Sequence, residues 1–112
     1  MNYQELQNEI YKTVDQLDLM VDEFAKAKAD KNYVDEYKKV VLSLEKEKFE
    51  GSDVERTRRA HGSEGYKKYL WKAFKVDTVY YQLEGKKGVL ERKLDAYRSL
   101  LSFQKFMQET TL

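Results

Sequence analysis

Proline is absent from all 112 residues, so no ring forces a helix to stop or kink anywhere along the chain. Cysteine is absent too, which excludes disulfides, thiolate zinc sites and thiol nucleophiles and fits a reducing, cytoplasmic setting. His61 is the single histidine. With no partner imidazole and no Glu-x-x-His spacing, neither a metal site nor a Ser/His dyad has material to build from, and no cofactor is expected. The apolar runs are only a few residues long, far short of a membrane span. The opening Met1-Asn2-Tyr3-Gln4-Glu5 lacks the basic start and apolar run of a signal peptide. A net charge of +1 gives no global field toward nucleic acid or membrane. No paired carboxylates stand out either, so enzyme activity is not expected.

What the chain does have is charge, 37% of its residues, and helical periodicity. Tyr66, Tyr69, Ala73, Val76, Tyr80, Leu83, Leu90, Leu94, Tyr97 and Leu101 recur at alternating steps of three and four, with Lys87 the one polar member before the register ends at Gln104. Such spacing puts them on one helical face, a coiled-coil-like seam about five heptads long. The first half carries a matching stripe at Tyr3, Leu6, Ile10, Val14, Leu17, Val21 and Phe24, with an acidic back. It thins over residues 25–32 and resumes at Val34, Tyr37, Val41 and Leu44. Asn32 followed by Asp35 and Glu36 could cap a fresh helix, which would bend the arm near residue 31. Gly51 suits the left-handed conformation that closes a helix. Ser52 and Glu55 form a capping box for a short helix, and Ser63 can cap the long one that follows.

The expected fold is all-α: a single domain over 1–112, built as a long antiparallel helical hairpin with arms at about 3–49 and 64–109 and a basic, glycine-containing tip at 50–65. In that layout Ala25, Ala27 and Ala29 fall opposite Gly85 and Gly88, at a height where two backbones could approach closely or bend together. A turn at Gly85–Gly88 is the competing layout. Val40-Val41-Leu42 and Leu100, Leu101, Phe103, Phe106 and Met107 are apolar over more than one face. A two-helix hairpin buries one stripe per arm, so these surplus faces call for a third layer or a second copy, and a homo-oligomeric coiled-coil-like bundle is the reading.

Charge is unevenly placed. Residues 1–50 carry 8 Lys against 12 acidic residues, whereas 51–75 carry 7 basic against 3 acidic. The basic cluster comprises Arg56, Arg58, Arg59, Lys67, Lys68, Lys72 and Lys75. Lys68, Lys72 and Lys75 share one helical face, and Lys67, Trp71, Phe74 and Tyr81 make an aromatic ridge beside it. Cations next to rings suit a protein interface, where Trp and Arg dominate the energetics. They also suit nucleic acid, whose phosphates and bases they would meet. The plain alternative is that the rings pack under a neighbouring helix and the lysines solubilise the rim. Gly85-Lys86-Lys87-Gly88 has the GxxG form of KH domains, but Glu91 stands where that fold needs an apolar residue and the flanks are helical. In its glycine-rich tip His61 reads as an exposed loop residue.

At Glu50-Gly51-Ser52-Asp53-Val54-Glu55-Arg56 and Arg59-Ala60 the chain resembles a group of small phage-encoded helical-hairpin proteins that share a Glu-Gly-…-Glu-Arg-…-Ala tip. The run Leu94-Asp95-Ala96-Tyr97-Arg98-Ser99-Leu100-Leu101-Ser102-Phe103-Gln104 looks like their closing helix. The likeness spans roughly residues 34–107; Gly85 and Gly88 and residues 1–33 lie outside it. It implies a phage or prophage origin in a bacterial host and work around DNA recombination or replication, and it supplies no catalytic residue. The functional expectation is a non-enzymatic protein that binds another protein, with nucleic acid as the other candidate partner. The alternatives are an anti-defence inhibitor similar to anti-CRISPR proteins, acting by occlusion, and a structural phage component.

Overall fold

Asn2 starts the first helix. Its Oδ1 accepts from the Glu5 amide at 2.8 Å while its Nδ2 donates to Glu5 Oε1 at 3.1 Å, so cap and third residue satisfy each other. In the computed structural model, which describes residues 1–111, three helices follow in order: α1 (Tyr3–Lys46), α2 (Asp53–His61) and α3 (Glu64–Thr111). Helix makes up 91% of the described residues, and no strand occurs among them. The all-α helical hairpin expected from the periodicity is the fold.

Two compact units share these helices, residues 1–24 with 82–111 and residues 25–81. In the first, the start of α1 and the end of α3 run antiparallel. Gln104 Nε2 donates to the Met1 carbonyl at 2.9 Å, and Lys87 Nζ lies 5.5 Å from the Phe24 ring centre. Leu6, Thr13, Leu83 and Leu94 form its buried centre. In the second unit, the rest of α1 pairs with the start of α3 below α2. There Tyr69 Oη donates to the Val34 carbonyl at 2.6 Å, and Ala27, Glu45, Ala60 and Tyr66 are buried. Burial, with Asp35, Tyr66 and Asp77 nearby, pushes the Tyr69 phenol above its ordinary value, which keeps it a donor well into alkaline pH.

Every position of the α3 register, from Tyr66 through Lys87 to Gln104, is buried or half-buried. On α1 the structure departs from the apolar stripe. Its inward face runs Leu6, Ile10, Thr13, Leu17, Met20, Phe24, Ala27, Lys31, Val34, Val41 and Glu45, steps of three and four broken only at exposed Lys38. Val21, Tyr37 and Leu44, apolar members of the expected stripe, are exposed. The helix keeps one heptad phase and tolerates Thr, Lys and Glu inside it because each finds a partner. Thr13 Oγ1 donates to the Glu9 carbonyl at 2.7 Å, and Glu45 pairs with Lys48 at 2.7 Å. Lys31 reaches Asp35 at 3.0 Å and Asp77 at 3.6 Å, with its ammonium 5.6 Å from the Tyr81 ring centre. The hydrogen bond to Asp35, then the charges of Asp77 and Asp35, raise the Lys31 pKa against its desolvation. These contacts support α1 as it continues through residue 31, and Asn32 does not start a fresh helix. α1 ends at Lys46 rather than near 49, in tight turns that bring the Lys48 amide to the Glu45 carbonyl.

α3 likewise runs unbroken through Gly85 and Gly88. Neither glycine serves close packing: a Cβ at Gly85 would meet nothing within 4 Å, and one at Gly88 only Arg92 Nη1 of its own helix, at 3.5 Å. Each glycine is a helix-propensity defect worth about 1 kcal/mol relative to alanine. The double substitution Gly85→Ala, Gly88→Ala is expected to stabilise the fold by about 2 kcal/mol, read as a higher urea midpoint. An unchanged or lower midpoint would show that these glycines serve a conformation other than the straight helix.

Candidate interaction surface

The tip is a folded corner built on three hydroxyl and glycine devices. Gly51 takes φ +118°, in the left-handed region that its missing Cβ permits. Ser52 Oγ then accepts from the Glu55 amide at 3.2 Å and starts α2. Ser63 holds both sides of the second corner, its Oγ donating to the Ala60 carbonyl at 2.7 Å and accepting from the Tyr66 amide at 3.2 Å. Both serine caps stand where the sequence places them. His61 is not a loop residue: it closes α2, with Nδ1 2.8 Å from the Thr57 carbonyl and its ring edge-on to Tyr66 at 5.3 Å.

The three arginines do different jobs. Arg56 is half-buried and its Nε donates at 3.2 Å to the carbonyl of Lys46, the last residue of α1, which also accepts from the Phe49 amide at 3.2 Å. Beside it Lys46 pairs with Asp53 at 2.6 Å, and that hydrogen bond, with the Lys46 charge, holds the Asp53 carboxyl below its usual range. The Arg59 guanidinium lies 6.0 Å from the Phe49 ring centre. Arg58 is exposed. Arg56 thus fastens α2 to the end of α1, while Arg59, itself exposed, rests beside Phe49.

The α3 residues of the cluster separate into two surfaces, because 100° per residue sends them around the helix. Lys68 and Lys72 line a groove of about 370 Å3 with Tyr33, Tyr37 and Val41 of α1. Lys75 follows on the same flank. The outward side carries Trp71 and Phe74, 61% and 59% exposed, stacked at 5.6 Å with 12° between their planes. Lys75 Nζ sits 5.6 Å from the Trp71 ring centre, and Lys67 ends the ridge, 3.5 Å from Glu64. The rings are not covered by a neighbouring helix of this chain.

Sequence reasoning missed Tyr33. It stacks on Tyr37 at 5.7 Å with 11° between the planes, and with Val40 and Leu44 it makes a second exposed stripe on α1. The spacing of four, three and four was there to be read, but Tyr37 and Leu44 had been assigned to the inward face.

Among the described residues no three His, Asp or Glu side chains gather where they would hold a metal ion. No helix among them is long and apolar enough to cross a membrane. No protein-family model, curated protein or solved structure matches the chain.

Proposed function

We propose that this protein acts by binding, without catalysis, as a self-associated helical hairpin that presents the Trp71–Phe74 ridge to a protein partner. The observation that carries this reading is the solvent-facing stack of Trp71 on Phe74 with Lys75 beside it. Two large rings held outward are out of place on a monomer's surface and are the usual anchors of an interface. A protein partner is favoured over nucleic acid for two reasons. Arg56 and Arg59, two of the tip's three arginines, each meet a group of the fold. The rings also stack on each other rather than standing apart as platforms for bases.

Self-association is supported by area. The chain exposes 8606 Å², whereas a folded monomer of 13.4 kDa exposes about 6500 Å². Leu6 is the one large side chain that is fully buried among the described residues. The tip resemblance supplies the setting, phage DNA metabolism, and hence the partner class to try first, a recombination or replication protein.

The test is capture of partners from host lysate by the immobilised chain, with and without nuclease, beside the variant Trp71→Ala, Phe74→Ala. A nuclease-resistant partner lost from the variant is the expected result, with affinity reduced at least ~30-fold for the two anchors. Capture that vanishes with nuclease would assign the ridge to nucleic acid. Capture that ignores the double substitution would overturn the proposed surface.

A further inference from the structure

We propose that a second copy of this chain packs against the Tyr33–Tyr37–Val40–Leu44 stripe of α1, the two copies running parallel about a two-fold axis along that stripe. This rests on the self-association reading above and gives it a face and an orientation.

The stripe recurs at steps of four, three and four, the spacing of a helix–helix seam, yet no helix among the described residues covers it: Tyr33 is 65% exposed and Leu44 51%. Lys26 and Asp30 close one end and Glu47 the other. The surplus surface of about 2100 Å² exceeds the ~800 Å² that each partner buries in a standard interface. One such interface between copies therefore still leaves the Trp71 ridge, on another side of α3, for a different partner.

Charge selects the orientation. On the α3 side the stripe is bordered by Lys68 and Lys72, which line the groove it shares with α3, with Lys75 next along. The helical wheel puts Glu36 and Glu47 on the opposite border. Glu36, Glu47, Lys68 and Lys72 are exposed, and none of them makes an ion pair within the described chain. A two-fold axis along the stripe lays the basic border of each copy over the acidic border of the other. Heights are kept by that axis, and for Glu36 they match. Lys31 meets Asp77 and Glu45 meets Gly65, so Glu36 stands level with the Lys72–Lys75 turn. An antiparallel arrangement of the same faces would set lysines against lysines and glutamates against glutamates, which is repulsive.

Since the chain has no cysteine, single thiols report the arrangement without disturbing the seam. Tyr33→Cys and Leu44→Cys lie about 16 Å apart along the helix, further than a disulfide spans. Under mild oxidation each variant is expected to cross-link to itself, while a mixture of the two forms few mixed pairs. Predominant mixed pairs would overturn the parallel orientation, and no cross-link from either in a dimeric protein would overturn this face while leaving self-association standing. As a second measure, Glu36→Lys is expected to raise the dimer Kd about tenfold in sedimentation equilibrium, and Glu36→Lys with Lys72→Glu to restore it. A Kd indifferent to both would overturn the charge argument. A wild-type chain that stays monomeric at micromolar concentration would overturn both this proposal and the self-association it rests on. Circular dichroism checks that each variant keeps its helices.

Discussion

Leu6→Ala is expected to cost about 2–5 kcal/mol, the range for deleting a fully buried leucine and leaving its cavity. Leu6 is 0% exposed, the one large side chain so completely enclosed among the described residues. It sits in the first turn of α1, its amide bonded to the Asn2 carbonyl at 3.0 Å. The Gln104 amide, bonded to Met1 at 2.9 Å, ties this turn to α3 at the same end. A helix end is where fraying is cheapest, so full burial there means that the side chain is what anchors the end. With few buried side chains, a loss of this size removes a large part of a stability that for small domains is only about 5–15 kcal/mol. At a slope of about 1.5 kcal/mol/M, the urea midpoint should fall by more than ~1 M. Leu19→Ala, at a side chain 82% exposed, should change the stability by less than about 0.5 kcal/mol. If the two leucines behave alike, the start of α1 is not docked as described.

The contrast between Leu6 and Leu19 also marks what could be read from the sequence. On α3 the periodic stripe and the buried or half-buried face coincide, so periodicity locates the seam from Tyr66 to Gln104, and the two serine caps locate the corners. On α1 they do not coincide. Thr13, Ala27, Lys31 and Glu45 hold inward positions because each has a local partner or is small, while Tyr37 and Leu44 lie outside. Counting hydrophobicity alone therefore puts Val21, Tyr37 and Leu44 on one stripe with Leu6, Phe24 and Val41, and hides the second stripe that begins at Tyr33. The candidate site was legible as composition, a concentration of cations and rings in residues 56–75. Its division was not. Whether an arginine meets a helix-end carbonyl, as Arg56 does, depends on a chain reversal that spacing does not encode.

Gly65→Ala is expected to destabilise the fold by about 2–3 kcal/mol, opposite in sign to the same change at Gly85. Propensity alone favours alanine at both, by about 1 kcal/mol. The difference is what a Cβ would meet. At Gly65 it would stand 1.2 Å from Glu45 Oε1 and 2.3 Å from Cδ, so the Glu45 side chain would have to swing out of its place, whereas at Gly85 the space is empty. Glu45 is a buried carboxylate, 5% exposed, lying against the first turn of α3, where unpaired amides make the helix end partly positive. Its other oxygen meets Lys48 at 2.7 Å. A methyl group at position 65 would expel the carboxylate from that seat and separate the end of α1 from the start of α3, the corner on which α2 is mounted. Removing the obstacle together with its counterpart should recover much of the loss. In a double-mutant cycle, Glu45→Ala with Gly65→Ala is expected to be more stable than the sum of the singles predicts, by at least ~1 kcal/mol. Urea titration of the four proteins reads this coupling. A Gly65→Ala variant as stable as the parent, with additive effects, would show that the carboxylate leaves its seat at no cost and that Gly65 is glycine for no steric reason.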